Sequence, residues 1–163
     1  IINLLKAFKL LKKKNFETLK LVFILQVLDQ RYFLEIKEFI KLNFNKDEIK
    51  IYHNLDSKYL INIYRKAKFY IFSSYCEVFG LTSLEAMSQK CPVLISNKSA
   101  LPEINKDAAL YFNPDNIIQI KDLMHQLLTN SKLRKMLVNR GDIHSKKFTW
   151  KKTLEKTISI LDV

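Results

Sequence analysis

Glu77 and Glu85 stand at the two ends of Glu77-Val78-Phe79-Gly80-Leu81-Thr82-Ser83-Leu84-Glu85, with seven residues between them. Ionised carboxylates act purely as hydrogen-bond acceptors, so such a pair can hold the vicinal hydroxyls of a ligand from two sides. Gly80 is one of only two glycines in the chain, and its missing side chain would let a ligand approach the backbone closely. A helix opening near Thr82 would leave the amides of Leu81, Thr82 and Ser83 free at its N-terminus, an anion site suited to a diphosphate. Together these residues could take a ligand that carries hydroxyls on both sides of a diphosphate. Each also has a plainer reading. Thr82-Ser83-Leu84-Glu85 fits a capping box, in which Glu85 reaches back to the amide of Thr82. Taken alone, the residues favour that cap for Glu85 and a solvated loop acid for Glu77.

The elements around this segment follow from hydrophobic spacing. Leu4, Leu5, Phe8 and Leu11 recur at helical intervals among lysines, which predicts an amphipathic helix over residues 2–13. Residues 19–25, rich in branched and aromatic side chains and too short for a buried helix, read as a strand. A helix carrying Tyr32, Ile36, Phe39 and Ile40, a strand over 49–53 and a helix carrying Leu60, Ile61, Ile63 and Tyr64 come next. A strand over 68–73, a helix over 81–88 and a strand over 92–96 follow, and the chain then turns through Leu101 and Pro102. Helices are expected over 116–128, 132–146 and 149–161. Asp115, Ser131 and Thr149 suit their N-caps, with Phe148 as a staple for the last. Strands alternating with helices predict an α/β domain with a doubly wound parallel sheet. Ligands bind such sheets outside the carboxyl ends of the strands, which directs attention to the segment after residues 68–73. The glycine-dependent dinucleotide fingerprint and Walker loop are absent.

Composition narrows the function classes. A length of 163 residues with 48% hydrophobic content supports one domain. No apolar run approaches the roughly 20 residues of a membrane-spanning helix, and no secretory signal is evident. A cytoplasmic location is the expectation. Cys76 and Cys91 are too few and too far apart for a disulfide framework or a zinc site, so free thiols are expected. The net charge of +12 rests on 24 lysines and four arginines, and base readout favours the planar arginine fork. Basic clusters at residues 12–14, at Lys132 with Arg134 and Lys135, and at residues 146–152 therefore read first as solvated surface. Peripheral contact with an anionic membrane is the second reading and nucleic acid the third. His125 and His144 read as surface groups on helices, His53 as a mainly structural residue at a strand end that borders the binding edge, and Trp150 as core.

The stretch from Phe72 to Asp115 resembles the donor-binding region of glycosyltransferase family 4, of the GT-B fold. The resemblance rests on the Glu-(seven residues)-Glu motif at Glu77 and Glu85, Phe79-Gly80-Leu81 within it, and Glu85-Ala86-Met87 closing it. It continues in Cys91-Pro92-Val93-Leu94-Ile95 with Ser96-Asn97, in Leu101-Pro102-Glu103 and in Phe112-Asn113-Pro114-Asp115. Weaker similarity reaches Phe148-Thr149-Trp150 and runs back through residues 19–24. The resemblance implies the carboxyl-terminal, nucleotide-sugar-binding half of a retaining hexosyltransferase, acting on a glycan or lipid-linked acceptor in cell-envelope polysaccharide synthesis. It implies that Glu77 contacts the donor sugar as the catalytic-site carboxylate and that Glu85 holds the ribose. Val78, Phe79, Gly80, Leu81 and Thr82 line the sugar and the diphosphate on the same reading. No metal or other cofactor is expected.

Three departures accompany the resemblance. The family's basic Arg and Lys pair lies upstream of the segment matching residues 2–13, and the amino-terminal acceptor domain and the first strand of this domain are not represented. The glycine loop expected after residues 19–25 is replaced by Gln26-Val27-Leu28-Asp29. Residues 1–163 therefore read as a single donor-binding domain that is inactive when isolated and pairs with a separate acceptor domain. The alternatives are a non-catalytic nucleotide-sugar-binding subunit or a degenerate gene fragment and, third, a basic nucleic-acid module.

Overall fold

The computed structural model describes residues 1–12 and 16–161. Fourteen short elements alternate along it: α1 (Ile2–Lys12), β1 (Leu21–Ile24), α2 (Gln30–Asn43), β2 (Ile49–Tyr52), α3 (Ser57–Lys66), β3 (Tyr70–Phe72), α4 (Leu81–Ser88), β4 (Val93–Ser96), α5 (Leu101–Asn105) with a 3-10 turn at Lys106–Ala108, β5 (Leu110–Phe112), α6 (Ile117–Thr129), α7 (Ser131–Ser145) and α8 (Trp150–Leu161). Every strand pairing is parallel, as the alternation of strands and helices requires. The pairing falls into two sheets, β1–β2 with Leu21 opposite Ile49, and β3–β4–β5 with Tyr70 opposite Val93 and Leu94 opposite Leu110.

The two faces of β4 explain the winding. Side chains alternate across a strand, so Leu94 joins one core with Leu4, Leu5, Phe8 and Leu11 of α1 and Ile120, Met124 and Leu127 of α6. Val93 and Ile95 join a second core with Leu84, Ala86 and Met87 of α4, Leu101 of α5 and Tyr64 of α3. All four residues of β4 are buried. In α4, Met87 packs so tightly on α7 that a Cβ at Gly141 would come within 3.0 Å of its Cγ.

Several sequence-based expectations shift. Each strand is shorter than its apolar run, because the flanking residues leave the ladder to enter loops. The Leu101-Pro102 turn is helical, with Pro102 in the first turn, where its missing N–H costs nothing. Strand β5 was not anticipated, since three residues carry no readable alternation. The cap of α6 is Asn116, whose side chain accepts the Gln119 amide, rather than Asp115. Asn130, not Ser131, caps α7 through the Leu133 amide. Thr149 Oγ1 does accept the Lys152 amide at 3.3 Å. Phe148 packs edge-on against Phe79 and His144. Trp150 is 86% exposed rather than core, because α8 buries none of its residues among those described. His144 is buried, with Nε2 2.7 Å from the Ile104 carbonyl, rather than a surface group.

Candidate donor site at the carboxyl end of β3

From Ser73 to Gly80 the chain leaves the carboxyl end of β3 and enters α4. Gly80 adopts the left-handed conformation (φ 80°, ψ 46°) as the N-cap of that helix. A Cβ there would sit 2.5 Å from Leu101 Cδ2, so glycine is demanded by backbone shape and by the packing of α5. Close ligand approach is not needed to explain it. The capping-box expectation fails for the same reason. With the cap at Gly80, Glu85 is the fifth helical residue, too far along to reach the first amides, and the cap has no side-chain hydrogen bond. Glu85 is exposed and Glu77 half-buried.

Of the three amides expected to be free, two are. Among the described residues the amides of Leu81 and Thr82 have no acceptor, whereas the Ser83 amide bonds the Gly80 carbonyl at 3.1 Å. Behind this helix end lies a buried polar cluster. Ser83 Oγ is 2.7 Å from both the Gly80 carbonyl and Asn105 Oδ1, and Asn105 Nδ2 donates to the Leu101 carbonyl at 2.9 Å. Fully satisfied buried networks of this kind rigidify their surroundings. Here the network ties the start of α4 to α5.

The loop is fixed at Glu77 by Ser99, whose hydroxyl donates to the Glu77 carbonyl at 2.6 Å and accepts the Glu77 amide at 3.1 Å. At its beginning, Tyr75 donates to Asp115 at 2.5 Å, and that bond to a carboxylate raises the Tyr75 phenol above its ordinary range. From β3, the Tyr70 hydroxyl donates to Thr82 Oγ1 at 2.9 Å. Burial holds the Tyr70 phenol far above its ordinary range, and the charges of Tyr64, Glu77 and Glu85 add to that effect.

The remaining residues of the motif divide. Val78 is 93% exposed and Leu81 58%, so both face solvent at the site, while Phe79 packs edge-on against Phe148 at 5.8 Å between ring centroids. Ser83, Ser99, Tyr70 and Asn105 are the contributors that sequence reasoning missed. Their signal was only a polar residue inside otherwise apolar surroundings. In the Gln26-Val27-Leu28-Asp29 segment, Asp29 accepts the Arg31 and Tyr32 amides as the cap of α2. His53 Nδ1 lies 2.9 Å from the Leu25 carbonyl, tying the ends of β1 and β2 together.

Burial pushes the Cys91 thiol up to about 12, and Cys76 is a free, exposed thiol. Among the described residues no group of three or more His, Cys, Asp or Glu side chains could hold a metal ion, and no helix is long and apolar enough to cross a membrane. Several basic residues are committed to structure. Lys12 pairs with Glu48 at 2.6 Å, Arg134 Nη1 donates to the Leu127 and Leu128 carbonyls, and Lys146 pairs with Asp142. Lys13 and Lys14 of the first basic cluster lie outside the described residues.

The chain is similar to known proteins in sequence and in fold. The chain is 35% identical over 97 residues to O-antigen chain mannosyltransferase B of Escherichia coli, an overlap covering 60% of this chain and 26% of that relative's length. The C-terminal domain of a glycosyl transferase group 1 family protein from Francisella tularensis superposes with a TM-score of 0.76 at 27% identity, covering 89% of this chain and 76% of that one. A glycosyltransferase from Rickettsia africae superposes with a TM-score of 0.85 at 21% identity, covering 98% of this chain and 42% of that one. The fold is thus that of the carboxyl-terminal half of a GT-B glycosyltransferase. The family described as glycosyl transferases group 1 matches residues 1–144, and the chain belongs to it.

Proposed function

We propose that the chain is the donor-binding half of a retaining glycosyltransferase of family 4, which transfers a hexose from a nucleoside diphosphate sugar to a glycan or lipid-linked acceptor. The observation that carries this reading is the start of α4 after β3, where the amides of Leu81 and Thr82 are unpaired among the described residues, with Glu77 in the loop before them and Glu85 in the helix after them. Glu77, held by Ser99, accepts hydrogen bonds from the donor-sugar hydroxyls and orients the ring at the reacting centre. Glu85 accepts those of the ribose. The diphosphate lies between them at the start of α4, where the amides and the helix dipole favour negative charge. Val78, Phe79, Gly80 and Leu81 form the shelf on which the donor rests. The reading calls for no metal or cofactor besides the nucleotide sugar. It places the protein in the cytoplasm, at or near the inner face of the membrane, working with a separate acceptor-binding domain.

Mannose is the first hexose to test, because it is the sugar named for the Escherichia coli relatives. The experiment is titration with a nucleoside monophosphate, the matching diphosphate and the diphosphate mannose. The diphosphate should bind at least tenfold more tightly than the monophosphate, about 1.4 kcal/mol or more. Equal affinity would remove the diphosphate site.

A further inference from the structure

The start of α4 is held on one side by α5, where Leu101 fills the space that a Cβ at Gly80 would need and Asn105 meets the Ser83 hydroxyl at 2.7 Å. The same helix is tied to α7, because the Ile104 carbonyl lies 2.7 Å from Nε2 of the buried His144. The chain then leaves α7 through two tight turns, with the Lys147 amide on the His144 carbonyl at 3.0 Å and the Phe148 amide on the Ser145 carbonyl at 3.1 Å. These turns bring the Phe148 ring against His144, at 5.3 Å between centroids, and edge-on against Phe79, at 5.8 Å and 84°. The contacts close a circuit: Phe79 to Phe148, to His144, to α5, and through Asn105 and Ser83 back to the Gly80 carbonyl.

A phenylalanine just before a helix cap is most simply a hydrophobic staple, which packs against the fourth helical residue. With Thr149 as the cap of α8, that residue is Thr153, which is exposed and whose hydroxyl donates to the Thr149 carbonyl at 3.2 Å. Phe148 therefore has no apolar staple partner. Nor does α8 hold it in place, since that helix buries none of its described residues. The ring is instead turned to Phe79 and His144. On the other side of the pair, only Gly80 separates Phe79 from the Leu81 amide, which has no acceptor among the described residues. Glycine adopts either sign of φ readily, so the direction of the Leu81 and Thr82 amides depends on what grips the loop at Phe79 as well as on Leu101.

We infer that Phe148 is a positioning residue of the donor site: its ring clamps Phe79 and so holds the Leu81 and Thr82 amides in the direction that receives a diphosphate. The inference rests on the donor-site reading given above. Phe148 touches no ligand in this role and acts through Phe79 alone. Edge-on aromatic pairs hold more strongly than their buried area accounts for, which suits two rings that remain 37% and 38% exposed to the fixing of a loop.

The test compares Phe148→Ala, Phe148→Tyr and Thr149→Ala with the wild-type chain. Backbone order parameters of residues 78–82 are measured without ligand, and GDP and UDP are titrated against their monophosphates. Phe148→Ala should lower the order parameters of this loop from about 0.85 to below about 0.6. It should also weaken binding of the better diphosphate at least threefold, with a smaller loss for its monophosphate. Phe148→Tyr, which keeps the ring, should restore both, and Thr149→Ala, which removes only the α8 cap, should change neither. Phe79→Leu removes the same ring pair from the other side and should loosen the loop equally, which decides the matter if Phe148→Ala does not fold. Unchanged loop order in Phe148→Ala or in Phe79→Leu would overturn the inference, as would a loosened loop with unchanged diphosphate affinity or an equal loosening by Thr149→Ala. A wild-type chain that binds diphosphate no better than monophosphate would overturn the donor-site reading instead, and the clamp would still stand or fall on the ligand-free order parameters.

Discussion

Ser99 holds Glu77 from both sides of its peptide, with the hydroxyl 2.6 Å from the Glu77 carbonyl and 3.1 Å from its amide. Ser99 itself sits at φ 56°, in the left-handed region, so the turn after β4 is shaped to present that hydroxyl. Each neutral hydrogen bond of this kind contributes about 1 kcal/mol. Ser99→Ala should loosen the Glu77 loop while leaving α4 in place. The expected result is a roughly fivefold loss of affinity for a nucleoside diphosphate sugar, about 1 kcal/mol, with affinity for the bare nucleoside diphosphate unchanged. Titration with both ligands checks it.

Gly80→Ala should destabilise the fold by about 2–4 kcal/mol, from the left-handed backbone and from overpacking against Leu101. Leu101→Ala alone should cost about 2–5 kcal/mol as a cavity. Because the added methyl would occupy space vacated by the leucine, the double variant should lose clearly less than the sum. Denaturant unfolding of the three variants measures the coupling, and strict additivity would mean that the contact does not limit position 80.

Glu48 carries a pH-dependent share of stability. The hydrogen bond from Lys12 and then the Asn45 amide hold its carboxyl below the usual carboxylate range in the folded state. A depressed folded pKa means that the contribution is fully present above the unfolded value, about 4.3, and is lost as pH falls through the folded value. Glu48→Gln should therefore cost about 0.5–1 kcal/mol at pH 7. The difference should vanish at a pH below the folded pKa. Melting curves of both proteins across that range test the sign.

The alternating elements and the parallel class were legible because long apolar runs and amphipathic helices announce themselves over many residues. The site motif was legible as a spacing, but its support was not. Ser83, Asn105 and Ser99 act through contacts over 22 residues of sequence, and nothing local distinguishes them from other polar residues. The caps at Asn116 and Asn130 were each missed by one residue, where two adjacent polar side chains could serve and tertiary packing chose. Trp150 was misplaced because a large aromatic reads as core by its type, and the sequence does not show whether another surface covers it.

The role of Glu85 tests the account most directly, because the structure removes its capping alternative by placing the cap at Gly80. Glu85→Gln keeps the size and helix propensity of an exposed side chain and should leave the melting temperature unchanged. Replacing a charged acceptor of ribose hydroxyls by a neutral amide should weaken nucleoside diphosphate binding by about 1–2 kcal/mol, tenfold or somewhat more. Isothermal titration of the wild-type chain and Glu85→Gln with the same nucleoside diphosphate decides it. A loss near tenfold at unchanged stability is the predicted result, and equal affinity of the two proteins would contradict the assignment of this surface as the donor site.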